Sequence, residues 1–278
     1  MVKIVTDSCS DITPQLAQEF GISVVPLYVQ FGREVYRDNI DLSTEEFYQK
    51  LEKSKIAPTT SAPGPDVFAE LFTRLADETD EIVAIMLSQM LSGVYAAAVK
   101  GKTMVTRQCR IEIIDSTLAI SAQMLLVISA ARMAGAGHGL DQIVDWVRKA
   151  IPRIHIQMTF DTLEYLRKGG RIGKAQAFLG SLLMVNPILT LKDGLVYPVA
   201  RVRNRTKAID YLVNFVMSLG RVEAIAIEDV TTPKDSEILA DRLKGLVSPE
   251  NFYRSKVDPV VGVHVGPRVL AACALEAE

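Results

Sequence analysis

Short apolar runs recur along the chain and repeatedly end in small polar residues. Residues 2–5 lead into Thr6-Asp7-Ser8-Cys9-Ser10-Asp11. Residues 82–87 lead into Ser88 and then Leu91-Ser92-Gly93-Val94-Tyr95, and residues 111–114 into Asp115-Ser116-Thr117. Continuous apolar runs of this length predict strands of a parallel sheet covered on both faces. A fourth run, residues 24–29, predicts another such strand, and helical patterns lie between the runs. One helix is predicted to start at Ser43, whose capping-box partner is Glu46. Another runs from Pro65 through Leu75, because proline suits the first helical position. The uncharged stretch 116–131 predicts a buried helix, being shorter and more interrupted than the ~20 apolar residues of a membrane span.

The pattern changes after the helical stretch Leu140–Ala150, near Pro152. Beyond it lie a predicted strand at Ile154–Thr159 and a helix capped by Asp161 with Glu164 three residues on. A strand pair joined at Asp193-Gly194, a helix over 204–219, and strands at 224–227 and 260–265 follow. Asp-Gly between apolar runs is a strong hairpin signal, so this half is expected to contain antiparallel pairing. The reading is two α/β units, 1–151 and 152–278, the first built on a mainly parallel sheet and the second on a mixed or antiparallel one.

In open α/β sheets the ligand crevice lies beyond the carboxyl ends of the strands, which is where the hydroxyl-rich loops fall. A further loop, Thr60-Ser61-Ala62-Pro63-Gly64-Pro65, offers two hydroxyls on a proline-braced turn ahead of a helix. Ser92-Gly93 leads into a helix and supplies a hydroxyl and an amide to an anion.

These segments carry a resemblance. TDSCSD, TTSAPGP, LSGVY, IDS, KGGRIG and the closing VGVHVGP follow one another in the order of the DegV family, and the chain resembles that family over nearly its whole length. The resemblance implies a two-domain DegV-like fold that binds a long-chain fatty acid between its domains, similar to the fatty-acid-binding subunit (FakB) of bacterial fatty acid kinase. It places the carboxylate on Thr60 and Ser92, with Ser61, Gly93, Arg171 and His264 around the head group. It further implies a fatty acid kinase catalytic subunit as partner, which converts the bound acid to an acyl phosphate. The chain itself would then be a carrier without a cofactor. Val94-Tyr95 follow the Ser-Gly pair where a threonine is also common, which leaves the donor set at that point open.

Composition fits this picture without narrowing it. The chain has 278 residues, 49% of them hydrophobic, and a net charge of −2, which gives no general attraction to nucleic acid. Its basic clusters, Arg167-Lys168 with Arg171 and Lys174, and Arg201, Arg203, Arg205 and Lys207, contain no stacking aromatic. Three scattered cysteines argue for a reducing compartment, and a cytoplasmic protein with at most transient membrane contact is expected. Cys9 reads as a buried, inert thiol.

Enzyme motifs fail in turn. GGRIGK has the wrong glycine spacing for a phosphate loop and Ala175 where Ser or Thr is needed. The three histidines are too far apart in sequence for a local zinc signature. The enzymatic alternative is a metal-dependent phosphoesterase using Asp7, Asp11 and Asp115, set against those carboxylates simply bonding amides of their own turns. Tail-lining candidates are Met124, Leu125, Ile128 and Phe178, which fit an ordinary core equally well.

Overall fold

The computed structural model describes residues 1–179 and 185–278. A four-stranded sheet runs in the order β2 (Ile22–Val25), β1 (Lys3–Asp7), β6 (Glu81–Met86), β7 (Arg110–Asp115), with every pair parallel. A small antiparallel sheet of β4 (Glu34–Arg37), β3 (Tyr28–Phe31) and β5 (Thr59–Ser61) sits beside it. The six-stranded sheet has the order β10 (Leu195–Val202), β9 (Asn186–Lys192), β8 (Ile154–Thr159), β13 (Leu270–Glu276), β11 (Val222–Asp229), β12 (Phe252–Lys256). It is antiparallel except for the β11–β12 pair. The mixed sheet of the second half is therefore present as expected.

Ten helices are described: α1 (Pro14–Glu19), α2 (Thr44–Lys53), α3 (Pro65–Ala76), α4 (Val94–Lys102), α5 (Ile120–Gly135), α6 (Leu140–Ala150), α7 (Glu164–Lys168), α8 (Arg205–Ser218), α9 (Pro233–Leu243) and α10 (Pro259–Val265). The Ser43–Glu46 capping box forms as predicted at α2, and Pro65 opens α3. Helix α5 packs against β1 and β6 on one side and against β8, β11 and β13 on the other. It is shared by two sheets, which is why its sequence lacks a polar face. One continuous core joins both halves through it, while α8 and α9 enclose a smaller cluster on the far face of the six-stranded sheet.

Three sequence expectations are corrected. The run 24–29 is not one strand: Pro26 lies between β2 and β3, which belong to different sheets, since proline has no amide to donate to a ladder. Asp161 does not cap α7. Leu163 occupies the cap position and Thr162 Oγ1 accepts the Glu164 amide, while Asp161 bonds Asn186 and Arg268.

The stretch 260–265 is helix α10 rather than a strand. Pro259 pre-sets its first turn, and Asp38 Oδ1 accepts the Val260 amide at 3.3 Å. A short apolar run buried on most sides carries no periodicity that separates helix from strand, so tertiary contacts decide.

Candidate functional site

Six residues spread from position 60 to position 264 line one cavity: Thr60, Ser61, Ser92, Gly93, Arg171 and His264. The other lining residues are apolar, among them Leu27, Leu87, Ile120, Phe160 and Val260. The cavity encloses about 930 Å³, its open mouth included. Its make-up, mainly apolar with a few placed polar groups, is that of small-ligand sites.

Each polar residue reaches the cavity from a different element. Thr60 sits on β5, held in register opposite Val29 of β3, before Pro63 and Pro65 turn the chain into α3. Its Oγ1 lies 2.9 Å from Nε2 of His264 in the last turn of α10. Ser61 accepts a hydrogen bond from Gln30 Nε2 at 3.4 Å. Ser92 occupies the loop between β6 and α4, and its Oγ accepts the Val94 amide at 3.3 Å. Gly93 stands at the cap of α4, which carries no side-chain cap. Arg171 donates from Nε to the Leu91 carbonyl at 3.1 Å and from Nη1 to the Gly169 carbonyl at 2.7 Å.

Burial, with the nearby Arg171 guanidinium adding to it, lowers the His264 pKa to about 4. The ring is therefore neutral at physiological pH and holds one N–H. Among the described residues, its buried Nδ1 has no hydrogen-bond partner.

An open groove on the other side is walled by residues 51 and 54–60, by α7, and again by Thr60, Arg171 and His264. These three side chains thus belong to the walls of both spaces, at the boundary between the apolar interior and the outside.

The loops that hold Ser92 and the Asp193-Gly194 hairpin are joined directly. Ser88 Oγ donates to the Gly194 carbonyl at 2.8 Å and accepts the Met90 amide at 3.2 Å. Asp193 and Gly194 have φ of 51° and 75°, the left-handed pair of a two-residue hairpin turn.

The three aspartates of the metal alternative do not form a site. Asp7 accepts the amides of Cys9 and Leu87, and Asp115 accepts those of Gln89 and Thr117. Asp11 is instead buried near Glu228, and burial followed by repulsion from Glu228 raises its pKa well above the usual range. Among the described residues, no three His, Cys, Asp or Glu side chains are grouped to hold a metal ion.

Met124, Leu125 and Ile128 belong to the packed core and Phe178 packs against it; none lines the cavity. Sequence reasoning missed the true lining from α10 and from β8 to β10, because 260–265 reads as a strand and the cavity wall is assembled from distant segments. Cys9 lines the cavity and is buried, with its thiol pKa pushed up by that burial.

The arrangement defines a class, an α/β protein whose internal apolar cavity is closed at one boundary by hydroxyl, imidazole and guanidinium groups. The chain belongs to the DegV family: the profile described as "Uncharacterised protein, DegV family" matches residues 1–277. It is 37% identical over 270 residues to a DegV domain-containing protein of Caldanaerobacter subterraneus, covering 96% of this chain and 95% of that protein. It is 38% identical over 270 residues to the DegV domain-containing protein YejH of Lactococcus lactis, covering 96% of each.

Solved structures are also similar. A DegV family protein from Thermus thermophilus, described for its fatty acid binding, superimposes with a TM-score of 0.93 at 29% identity over 99% of both chains. DegV of Bacillus subtilis, described as a fatty acid binding protein, gives 0.89 at 28% identity over 99% of both. A stearic acid-binding protein from Eubacterium ventriosum gives 0.90 at 25% identity, over 99% of this chain and 98% of that one. No helix among the described residues is long and apolar enough to cross a membrane.

Proposed function

We propose that this chain binds a long-chain fatty acid in the apolar cavity, with the carboxylate on Thr60, Ser92 and the Gly93 amide. Ser61, Arg171 and His264 complete the surroundings of the head group, and the ligand lies between units 1–151 and 152–278. The observation that carries the reading is the gathering of these polar side chains on an otherwise apolar cavity, at its boundary with the outer groove. The description of solved relatives as fatty acid binders supports the same ligand class.

Energetics fit. Burying about 15 methylenes gains on the order of 12 kcal/mol gross at ~0.8 kcal/mol each. A carboxylate buried without donors would cancel much of that gain, so the hydroxyls and amide are a requirement of the site. They also leave the acid chemically unchanged. With the head group beside the outer groove, a partner kinase could phosphorylate it, and the chain would act as a cytoplasmic carrier that presents its ligand.

Lipids extracted under denaturing conditions from the purified protein and identified by mass spectrometry test the first part. Long-chain acyl species in near-stoichiometric amount are expected, and their absence from protein that also fails to take up added fatty acid would overturn the reading. Acyl-phosphate formation with ATP and a fatty acid kinase catalytic subunit tests the second part.

A further inference from the structure

We infer that Gly169 is a positioning residue for the polar cluster, its missing side chain providing the space in which the His264 imidazole sits and its carbonyl holding Arg171. Gly169 has φ of −76° and ψ of −5°, an ordinary helical conformation open to any residue. No positive φ calls for glycine there, so its presence has another cause. The neighbouring glycines have separate reasons: Gly170 has φ of 71°, and Gly173 has φ of 52° with the Val196 carbonyl 2.6 Å from where a Cβ would lie. At Gly169 an added methyl would land on Nδ1 of His264.

Among the described residues Nδ1 has no hydrogen-bond partner, and close packing against Gly169 fixes the imidazole on that side. On its other side Nε2 meets Thr60 Oγ1 at 2.9 Å. The same glycine accepts from Arg171 Nη1 at 2.7 Å. The contact is reciprocal, because a Cβ on Gly266, where φ is 72°, would overlap the Tyr165 ring. Residues 165–169 and 264–266 are thereby interlocked, and a methyl at position 169 would drive the ring off Thr60.

The test is Gly169→Ala in the full chain, with the chain's three histidines followed by NMR titration. In the unmodified protein one ring should titrate near pH 4, and in G169A that ring should move towards its ordinary value of 6.5. A Gly245→Ala control, where an added methyl meets nothing within 4 Å, should leave it in place. An unmoved titration in folded G169A overturns the inference.

Fatty acid affinity should fall about three- to tenfold in G169A, as for one lost hydrogen bond, with no further fall when the same change is made in H264A. Equal losses in both backgrounds would overturn action through His264. This affinity arm rests on the fatty-acid reading, whereas the titration does not. A shifted ring with unchanged affinity would uphold the positioning and sink the head-group role of His264. If G169A fails to fold, the G169A/H264A double variant should recover folding, and its failure would overturn the inference as well.

Discussion

Thr60 Oγ1 and His264 Nε2 lie 2.9 Å apart although 204 positions separate them in the chain. The pair links a three-residue edge strand of the first half to the last turn of a helix in the second, across the boundary of the cavity. Because burial keeps the ring neutral, the tautomer that donates from Nε2 to Thr60 Oγ1 leaves the Thr60 hydroxyl proton free to be donated to a carboxylate.

Thr60→Ala and Ser92→Ala should each weaken fatty acid binding about ten- to hundredfold, since a hydrogen bond to a charged group contributes roughly 1.5–3 kcal/mol. Titration calorimetry reads the effect, with circular dichroism confirming an intact fold. Unchanged affinity in both variants would remove these residues from the head-group site.

Arg171→Ala should reduce acyl-phosphate formation by the partner kinase much more than it reduces fatty acid loading. The tail supplies most of the binding energy, whereas phosphoryl transfer depends on positioning and charge neutralisation. His264→Ala should act in the same direction but less severely, as a neutral donor contributes less than a cation. Equal loss of loading and phosphorylation would make both residues simple ligand holders.

Stability should fall as pH rises from about 5 to about 8. Burial raises the pKa of Asp7 to about 6 and of Asp38 to about 7, and it raises Asp11, Glu228 and Asp258 as well. These carboxyls are protonated in the fold at pH values where the unfolded chain has ionised them, so the folded state binds more protons and loses stability as pH rises. Around them stand Cys9, Tyr48 and Cys273, which are neutral in this range, and Asp229. His264 acts with opposite sign between about 4 and 6.5, but as one group against five. Thermal midpoints across this range should decline, and Glu228→Gln should flatten the decline. A midpoint that climbs with pH would contradict the proton-holding cluster.

Ser88→Ala should destabilise the protein by about 1–3 kcal/mol, because it strips the buried Gly194 carbonyl and Met90 amide of a partner at once. It should also speed ligand dissociation, since Ser88 ties the Ser92 loop to the hairpin. Chemical denaturation and stopped-flow release measure the two effects. Loss of stability without faster release would separate the hairpin contact from the site.

Local chemistry made several features legible from sequence. Proline at the start of α3, the Ser43–Glu46 box and the left-handed Asp193-Gly194 turn each depend on a few adjacent residues, and each appears where expected. The hydroxyl loops after β1, β6 and β7 were equally visible, because parallel strands place their carboxyl ends along one edge.

The sequence pattern alone set strand, turn and cap chemistry, while long-range packing decided everything that lacks a local signature. The segment Leu270–Glu276 is rich in Ala, Leu and Glu, as a helix would be, yet it forms a central strand because β8 and β11 supply hydrogen-bond ladders on both sides. Asp38, Glu228 and Asp258 look like ordinary surface carboxylates in sequence and meet only when α10 docks between the halves. The space at Gly169 exists only once His264 arrives from 95 positions further along. A cavity wall is a property of surfaces brought together, and no periodicity in a single segment encodes which distant segment will face it.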